Sequence, residues 1–268
     1  MSRTRADNVA ISGVVTTLNN ANTLTRCLAS LKAICSEIVV LDSGSTDRTR
    51  EIAESFGARF YMQAFAGYSA QKAAAIALAS RDWIVLLDSD EALDNDAQDA
   101  ICSALASDPL ACAGFSLKRR ELIFWRYQHI ASKHNRFLRV FDRRKARMSG
   151  HKVHESVLVT GQVRNLAGCI IHDGDRSIAQ KLSKLNQYSS LAALAKKSPR
   201  KGLTDAFRLT LYPLWYFLRA YLLRRQFLNG WAGYINSVEL AHYAFLKYAK
   251  MLELTQAKDL HTNKEGSP

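Results

Sequence analysis

The sequence predicts an α/β fold, a mostly parallel sheet flanked by helices, followed by a C-terminal helical extension. Three observations predict it. Short apolar runs alternate with stretches of helical spacing over the N-terminal third. Two of the strongest runs stop at aspartate, Asp42 and Asp88. From Ser177 onward strand-like runs give way to helical patterns.

Val9–Thr17 reads as a buried strand, with Ile11, Val14 and Val15 in a short run. Asn19-Asn20-Ala21-Asn22 is turn chemistry. Leu24–Ile34 follows as a helix that places Leu24, Cys27, Leu28 and Leu31 on one face. Glu37–Leu41 is a second strand that stops at Asp42, and Ser43-Gly44-Ser45 makes its loop. Thr46 or Asp47 can cap the next helix, which Gly57 stops after Phe56. Arg59–Tyr61 is a short strand, Ala70–Ala79 an alanine-rich helix, and Asp82–Leu87 a third strong strand ending at Asp88. This alternation implies parallel strands joined by right-handed crossovers. Ligands of such sheets sit beyond the carboxyl ends of the strands, where Asp42, Asp88 and Asp90 fall.

Ala97–Leu105 reads as a helix, after which the character changes. Gly114–Leu117 and Phe137–Phe141 read as strands inside the basic stretch Lys118–Arg147. Val157–Thr160 and Cys169–Ile171 are further short strands. Ser177–Lys197, Leu203–Leu228 and Gly233–Leu254 read as helices, separated by Pro199-Arg200-Lys201-Gly202 and by Asn229-Gly230. Pro213 must start or kink the middle one. The expected organisation is a ligand-binding domain over 1–176 and a helical extension over 177–268.

The 268 residues are 48% hydrophobic and 9% aromatic, which supports a sizeable core and excludes global disorder. The five cysteines are odd in number and form no Cys-x-x-Cys pair, which argues against a disulfide framework or structural zinc and for a reducing compartment. Charge is unevenly spread. Residues 1–100 hold 9 lysines and arginines against 13 aspartates and glutamates (net −4), and the rest hold 28 against 11 (net +17). A basic half of this kind faces an anionic partner, membrane lipid or nucleic acid. No secretory apolar segment precedes Val9, and the apolar run Leu209–Leu218 is too short to span a bilayer. The expected location is therefore cytoplasmic, with contact to a membrane surface.

Asp88 and Asp90, at alternate positions past a strand end, can share one hard cation; Mg²⁺ or Mn²⁺ takes few protein carboxylates together with substrate phosphates. The plainer reading is a loop of solvated acids, or acids set against a helix dipole. Asp42 can accept a hydrogen bond from a base N–H such as that of uracil, and Ser43-Gly44-Ser45 admits close approach of a ligand. The same residues also satisfy an ordinary capped βα loop.

Val14–Asn19, Val39–Asp47, Ala70-Gln71-Lys72 and Trp83–Glu91, in that order and spacing, resemble family-2 glycosyltransferases of the GT-A (Rossmann-like) fold. Gly150–Val157, His172, Lys184–Ser189, Leu211–Leu214 and Phe227–Gly233 resemble the branch of lipopolysaccharide core β-1,4-glucosyltransferases. Leu18, Asn20 and Ala73 depart from residues common in the family, which leaves base and phosphate contacts in their loops open. The resemblance implies a UDP-sugar donor, a Mg²⁺ or Mn²⁺ cofactor, inverting transfer and a lipopolysaccharide core or other lipid-linked glycan acceptor. It implies that Asp42, with Thr17 and Asn19, lines the base pocket beside Ser43 and Gly44. Lys72 either reaches the diphosphate or is a solvated helix lysine. Asp88, next to Ser89, binds ribose or shares the metal, and Asp90 binds the metal, with His172 at the metal or diphosphate. Glu155 is the base for the acceptor hydroxyl.

Alternatives remain open on sequence grounds: a family-2 enzyme acting on polyprenyl phosphate or an exopolysaccharide or capsule precursor, or a scaffold that has lost catalysis. A basic nucleic-acid-binding protein explains the aromatic-laced stretch Lys118–Arg147 but not the acidic rim at Asp42 and Asp88–Asp90, so no nucleic acid partner is expected.

Overall fold

The computed structural model describes residues 10–107, 112–149, 156–174, 177–195 and 203–265. In chain order the elements are β1 (Ile11–Thr17), α1 (Ala21–Lys32), β2 (Glu37–Asp42), α2 (Thr49–Ser55), β3 (Arg59–Met62), α3 (Tyr68–Ala77) and β4 (Trp83–Asp88). Then come β5 (Glu91–Leu93), α4 (Asn95–Ser107), β6 (Gly114–Ile123), β7 (Arg126–Tyr127), β8 (Asn135–Asp142), β9 (Ala146–Met148), β10 (Val157–Val159) and β11 (Val163–His172). Three helices complete the chain: α5 (Ile178–Ala195), α6 (Leu203–Leu218) and α7 (Gly230–Glu265). The chain divides into two compact units, one of residues up to Glu121 with His134–Asp173, the other of Leu122–Lys133 with the residues from Gly174 on.

In the first unit the sheet runs β3-β2-β1-β4-β8-β6-β11-β5. The first four strands pair in parallel. They do so because each crossover helix is short and apolar on one face; α1 buries Leu24, Cys27, Leu28 and Leu31 against the sheet. The expected mostly parallel sheet becomes a mixed one beyond β4. There β8 pairs antiparallel to both β4 and β6, and β5 pairs antiparallel to β11, while β6 and β11 pair in parallel. Three strands the sequence did not suggest, β5, β7 and β9, are two or three residues each, too short for a periodic signal. One apolar layer packs α1 and α4 on the sheet around Ile11, Leu28, Val85 and Ile101, and a smaller one holds Val14, Leu41, Leu86 and Phe141.

Gly168 marks a contact that local pattern could not reveal. Its φ is +77°, and a Cβ there would lie 2.1 Å from the backbone nitrogen of Ala97, at the start of α4. Only glycine lets β11 pass this close to the helix.

The second unit is built on α5, α6 and α7. Pro213 lies inside α6, and a π turn at Arg219–Leu223 follows that helix. The Asn229–Gly233 block proves to be structural. Asn229, fully buried, accepts from His129 N at 2.6 Å and donates to Ser132 and Gln226, tying 122–133 to the start of α7. A Cβ on Gly233 would lie 1.9 Å from the Gln226 carbonyl oxygen. The Lys184–Ser189 block is likewise a seam: Lys250 Nζ donates to Asn186 and Ser189 at 2.7–2.8 Å. No helix among the described residues is long and apolar enough to cross a membrane.

Candidate active site

The carboxyl ends of β1 and β4 open onto a cavity of about 460 Å³. Its floor comes from Thr16 and Thr17 of β1 and from Asp88, Ser89 and Asp90 after β4. Gln71 and Lys72 of α3 face it, His172 at the end of β11 closes one side, and Phe65 and Tyr68 stand at its mouth. Of the aspartates expected at these strand ends, Asp88 and Asp90 line the cavity and Asp42 does not. The size is that of a small-molecule pocket.

Of the residues expected at the base pocket, Thr17 and Ser43 line the cavity, and Asp42, Asn19 and Gly44 do not. Asp42 is buried, and its carboxylate is satisfied by its own loop: Oδ2 accepts from Gly44 N at 2.9 Å and Ser45 N at 2.7 Å, and Oδ1 from Ser45 Oγ at 2.5 Å. It shapes the Ser43–Ser45 turn, as the capped-loop reading holds, with Gly44 at φ +104°. Asn19, at φ +49°, braces the same loop, donating from its backbone to Ser45 Oγ and accepting Thr46 N on Oδ1. Its neighbour Asn20 lines the cavity instead and donates to Ser89 Oγ at 2.6 Å. Among the described residues, two buried side-chain oxygens of cavity-lining residues have no partner: Thr17 Oγ1 and Gln71 Oε1. The Gln71 amide is oriented by its Nε2, which donates to the Gln63 carbonyl at 3.2 Å, so Oε1 is turned away from that strand end.

Lys72 is buried, which removes the solvated-lysine reading. Its Nζ lies 2.7 Å from Asp88 Oδ1, and Arg139 Nη2 lies 2.8 Å from Asp88 Oδ2. Arg139 Nη2 also meets Glu91 at 2.7 Å, and Glu91 meets Arg119 at 3.2 Å. Arg119 in turn meets Glu121 at 2.7 Å; Glu121 bonds His172 Nδ1, and His172 Nε2 lies 3.3 Å from Asp90. Eight side chains thus form one line of alternating charge, from Lys72 to Asp90, with both ends on the cavity. The Phe137 ring lies beneath the Arg119 guanidinium, 4.2 Å from its centroid.

This line fixes protonation. Burial works against the Asp88 charge, but Arg139 and Lys72 outweigh it and hold its pKa well below the usual carboxylate range. Burial likewise opposes charge on His172, but hydrogen bonds to Asp90 and Glu121 raise its pKa to about 10. Glu121 is lowered against its burial by His172 and Arg119.

Among the described residues no group of three or more His, Cys, Asp or Glu has the arrangement of a protein-only metal site. Asp88, expected as ribose partner or shared ligand, has a cation on each oxygen. Asp90 and His172 Nε2 do converge, and His172 hands its other nitrogen to Glu121, the arrangement that orients metal-binding histidines. Two protein ligands suit a Mg²⁺ or Mn²⁺ ion that is otherwise held by substrate phosphates. Glu155 and its neighbour His154 lie outside the described residues.

Sequence reasoning missed Arg139, Arg119, Glu121 and the role of Glu91. One signal was present. Arg139 stands inside the apolar strand run Phe137–Phe141, where an arginine that is buried needs charged or polar partners.

A model of glycosyl transferase family 2 matches residues 12–159. An uncharacterized glycosyltransferase of Rickettsia felis is 32% identical over 271 residues, 96% of this chain and 95% of that one. The lipopolysaccharide core biosynthesis glycosyltransferase LpsC of Rhizobium meliloti is 32% identical over 254 residues, 91% of this chain and 92% of that one. A solved glucosyl-3-phosphoglycerate synthase of Mycobacterium tuberculosis, in complex with Mn²⁺, UDP and glucosyl-3-phosphoglycerate, is 26% identical over 42% of this chain and 44% of that one, with a TM-score of 0.34. That partial overlap bears on neither the donor nor the ion here. The chain belongs to glycosyltransferase family 2. Its mixed sheet with flanking helices is the GT-A type of fold.

Proposed function

We propose that this protein transfers glucose, with inversion, from UDP-glucose to a lipopolysaccharide inner-core acceptor at the cytoplasmic leaflet of a bacterial inner membrane. The observation that carries the reading is the cavity at the strand ends, with buried Lys72 on one side and the Asp90–His172 pair on the other. The Rhizobium relative's printed role supports the acceptor class, and the basic C-terminal portion suits a phosphorylated glycan.

Lys72 faces the donor diphosphate, held in place by Asp88, which Arg139 anchors from behind. Thr17 and Gln71 line the cavity, and their side-chain oxygens turn to accept from the N–H or hydroxyl groups of the nucleoside when it binds, the part expected of Asp42. Asp90 and His172 would hold Mg²⁺ or Mn²⁺, the imidazole giving up the Nε2 proton that it shares with Asp90 in the ion-free chain, with Glu121 orienting the ring through Nδ1. When bound, the cation supplies charge neutralisation for the departing diphosphate. Glu155, on the resemblance of its motif, takes the acceptor hydroxyl proton as that oxygen bonds to the anomeric carbon and the bond to diphosphate breaks.

The test is transfer from UDP-sugars to purified core oligosaccharide, compared with lipid phosphate acceptors. Glu155→Gln is expected to abolish transfer while UDP still binds, and near-wild-type turnover in that variant would remove Glu155 from the mechanism. Chelator is expected to stop the reaction, and Asp90→Ala to resist rescue by added metal. Full activity in chelator refutes the cation's part. Transfer to lipid phosphate alone overturns the acceptor.

A further inference from the structure

The second unit exposes a continuous apolar face that catalysis does not use. Phe207, Leu211, Leu214, Trp215 and Leu218 are all solvent-exposed, and their spacing of 4, 3, 1 and 3 residues puts them on one stripe of α6. Leu223, 63% exposed, lies in the π turn that follows the helix. Tyr234 of α7 meets Phe217 edge-on at 5.8 Å and Trp231 at 6.0 Å. Through these rings Trp231, 75% exposed, stands beside the C-terminal end of α6. A stripe of tryptophans and leucines this long does not stay in water on a monomer without a use.

The charges around the face say what covers it. Arg219, exposed, follows Leu218 at the edge of the stripe, and Arg225 is exposed just past the turn. The second unit holds 17 lysines and arginines against 6 aspartates and glutamates, a net of +11. Two copies meeting through such units would repel. An anionic lipid surface meets all three features at once: apolar side chains for the acyl boundary, tryptophan and tyrosine for the headgroup level, and arginines for lipid phosphates.

We propose that the α6 stripe, extended by Leu223 and Trp231, is a docking face for the surface of an anionic bilayer, entered in the plane and not crossed. This deepens the reading of a lipid-linked acceptor and rests on it for its purpose, but its binding step needs neither donor nor acceptor.

The test is co-sedimentation of the full chain with phosphatidylglycerol vesicles and with phosphatidylcholine vesicles, in the absence of UDP-sugar. Strong binding to the first and weak, salt-insensitive binding to the second is expected. The double variant Leu214→Ser, Trp231→Ser, both sites being exposed, is expected to lose at least about tenfold in partition. Arg219→Gln and Arg225→Gln are each expected to lose about fivefold on anionic vesicles only. Circular dichroism and transfer to water-soluble core oligosaccharide serve as controls and should match wild type. Equal binding of the serine variant and wild type overturns the proposal. So does failure of wild type to bind anionic vesicles, or a wild-type dimer that the serine variant converts to monomer. A chain that binds vesicles but transfers no sugar leaves the docking face standing and refutes only the enzymatic reading.

Discussion

Arg139→Met tests whether the line of charges behind the cavity is a connected unit. In the folded chain Arg139 joins Glu91 and Asp88 through one nitrogen, at 2.7 and 2.8 Å. The Glu91 side chain is fully buried, so loss of the guanidinium leaves a carboxylate that water cannot reach. Removing one partner of a buried pair costs about 3–5 kcal/mol. Two features of the site place the cost at the lower end. Glu91 keeps Arg119 at 3.2 Å, and Asp88, a third exposed, keeps Lys72 at 2.7 Å. Methionine fills most of the vacated stem volume, so a cavity contribution stays small. The expected loss is about 3 kcal/mol, which moves a urea midpoint by about 1–2 M. Urea denaturation followed by circular dichroism measures it. Adding Glu91→Gln removes the stranded charge, and the double variant should lose less than the sum of the singles by at least about 1 kcal/mol. A single-variant loss below about 1 kcal/mol, or additivity within about 0.5 kcal/mol, would refute the coupled, buried pair.

Gln71→Leu removes an acceptor that has no partner among the described residues, so apo stability is expected to change by less than about 1 kcal/mol. UDP affinity, measured by calorimetry, should fall about five- to tenfold; unchanged affinity would mean Oε1 meets only water. Gly168→Ala drives a Cβ to 2.1 Å from Ala97 N at φ +77° and is expected to cost more than about 3 kcal/mol in urea denaturation. A near-neutral result there would place β11 further from α4 than the structure has it.

Much of the first unit was legible because its information is local. Each parallel strand is a short apolar run closed by turn chemistry, and each helix shows its buried face at helical spacing, as Leu24, Cys27, Leu28 and Leu31 do in α1. The antiparallel half was less legible, since the partner of β8 is chosen by packing and not by its own residues. Asp42 shows how a local pattern supports two roles. The Asp-Ser-Gly-Ser sequence fits a base pocket and a self-capped loop equally well, and only the coordinates put all three loop donors on the carboxylate.

The sequence by itself determined the alternation of strands and helices, the presence of aspartates at strand ends, and the concentration of positive charge in the later residues. These depend on neighbours along the chain and on counting. Tertiary structure alone decided which charges meet. Lys72, Asp88, Arg139, Glu91, Arg119, Glu121, His172 and Asp90 come from six elements and the turn after β4. Nothing in their spacing orders them, because a buried ion takes its partner from whatever the sheet order brings within about 3 Å. The α6 stripe divides the same way: periodicity puts its residues on one face, and only the packing of α6 on α7 decides that this face looks outward.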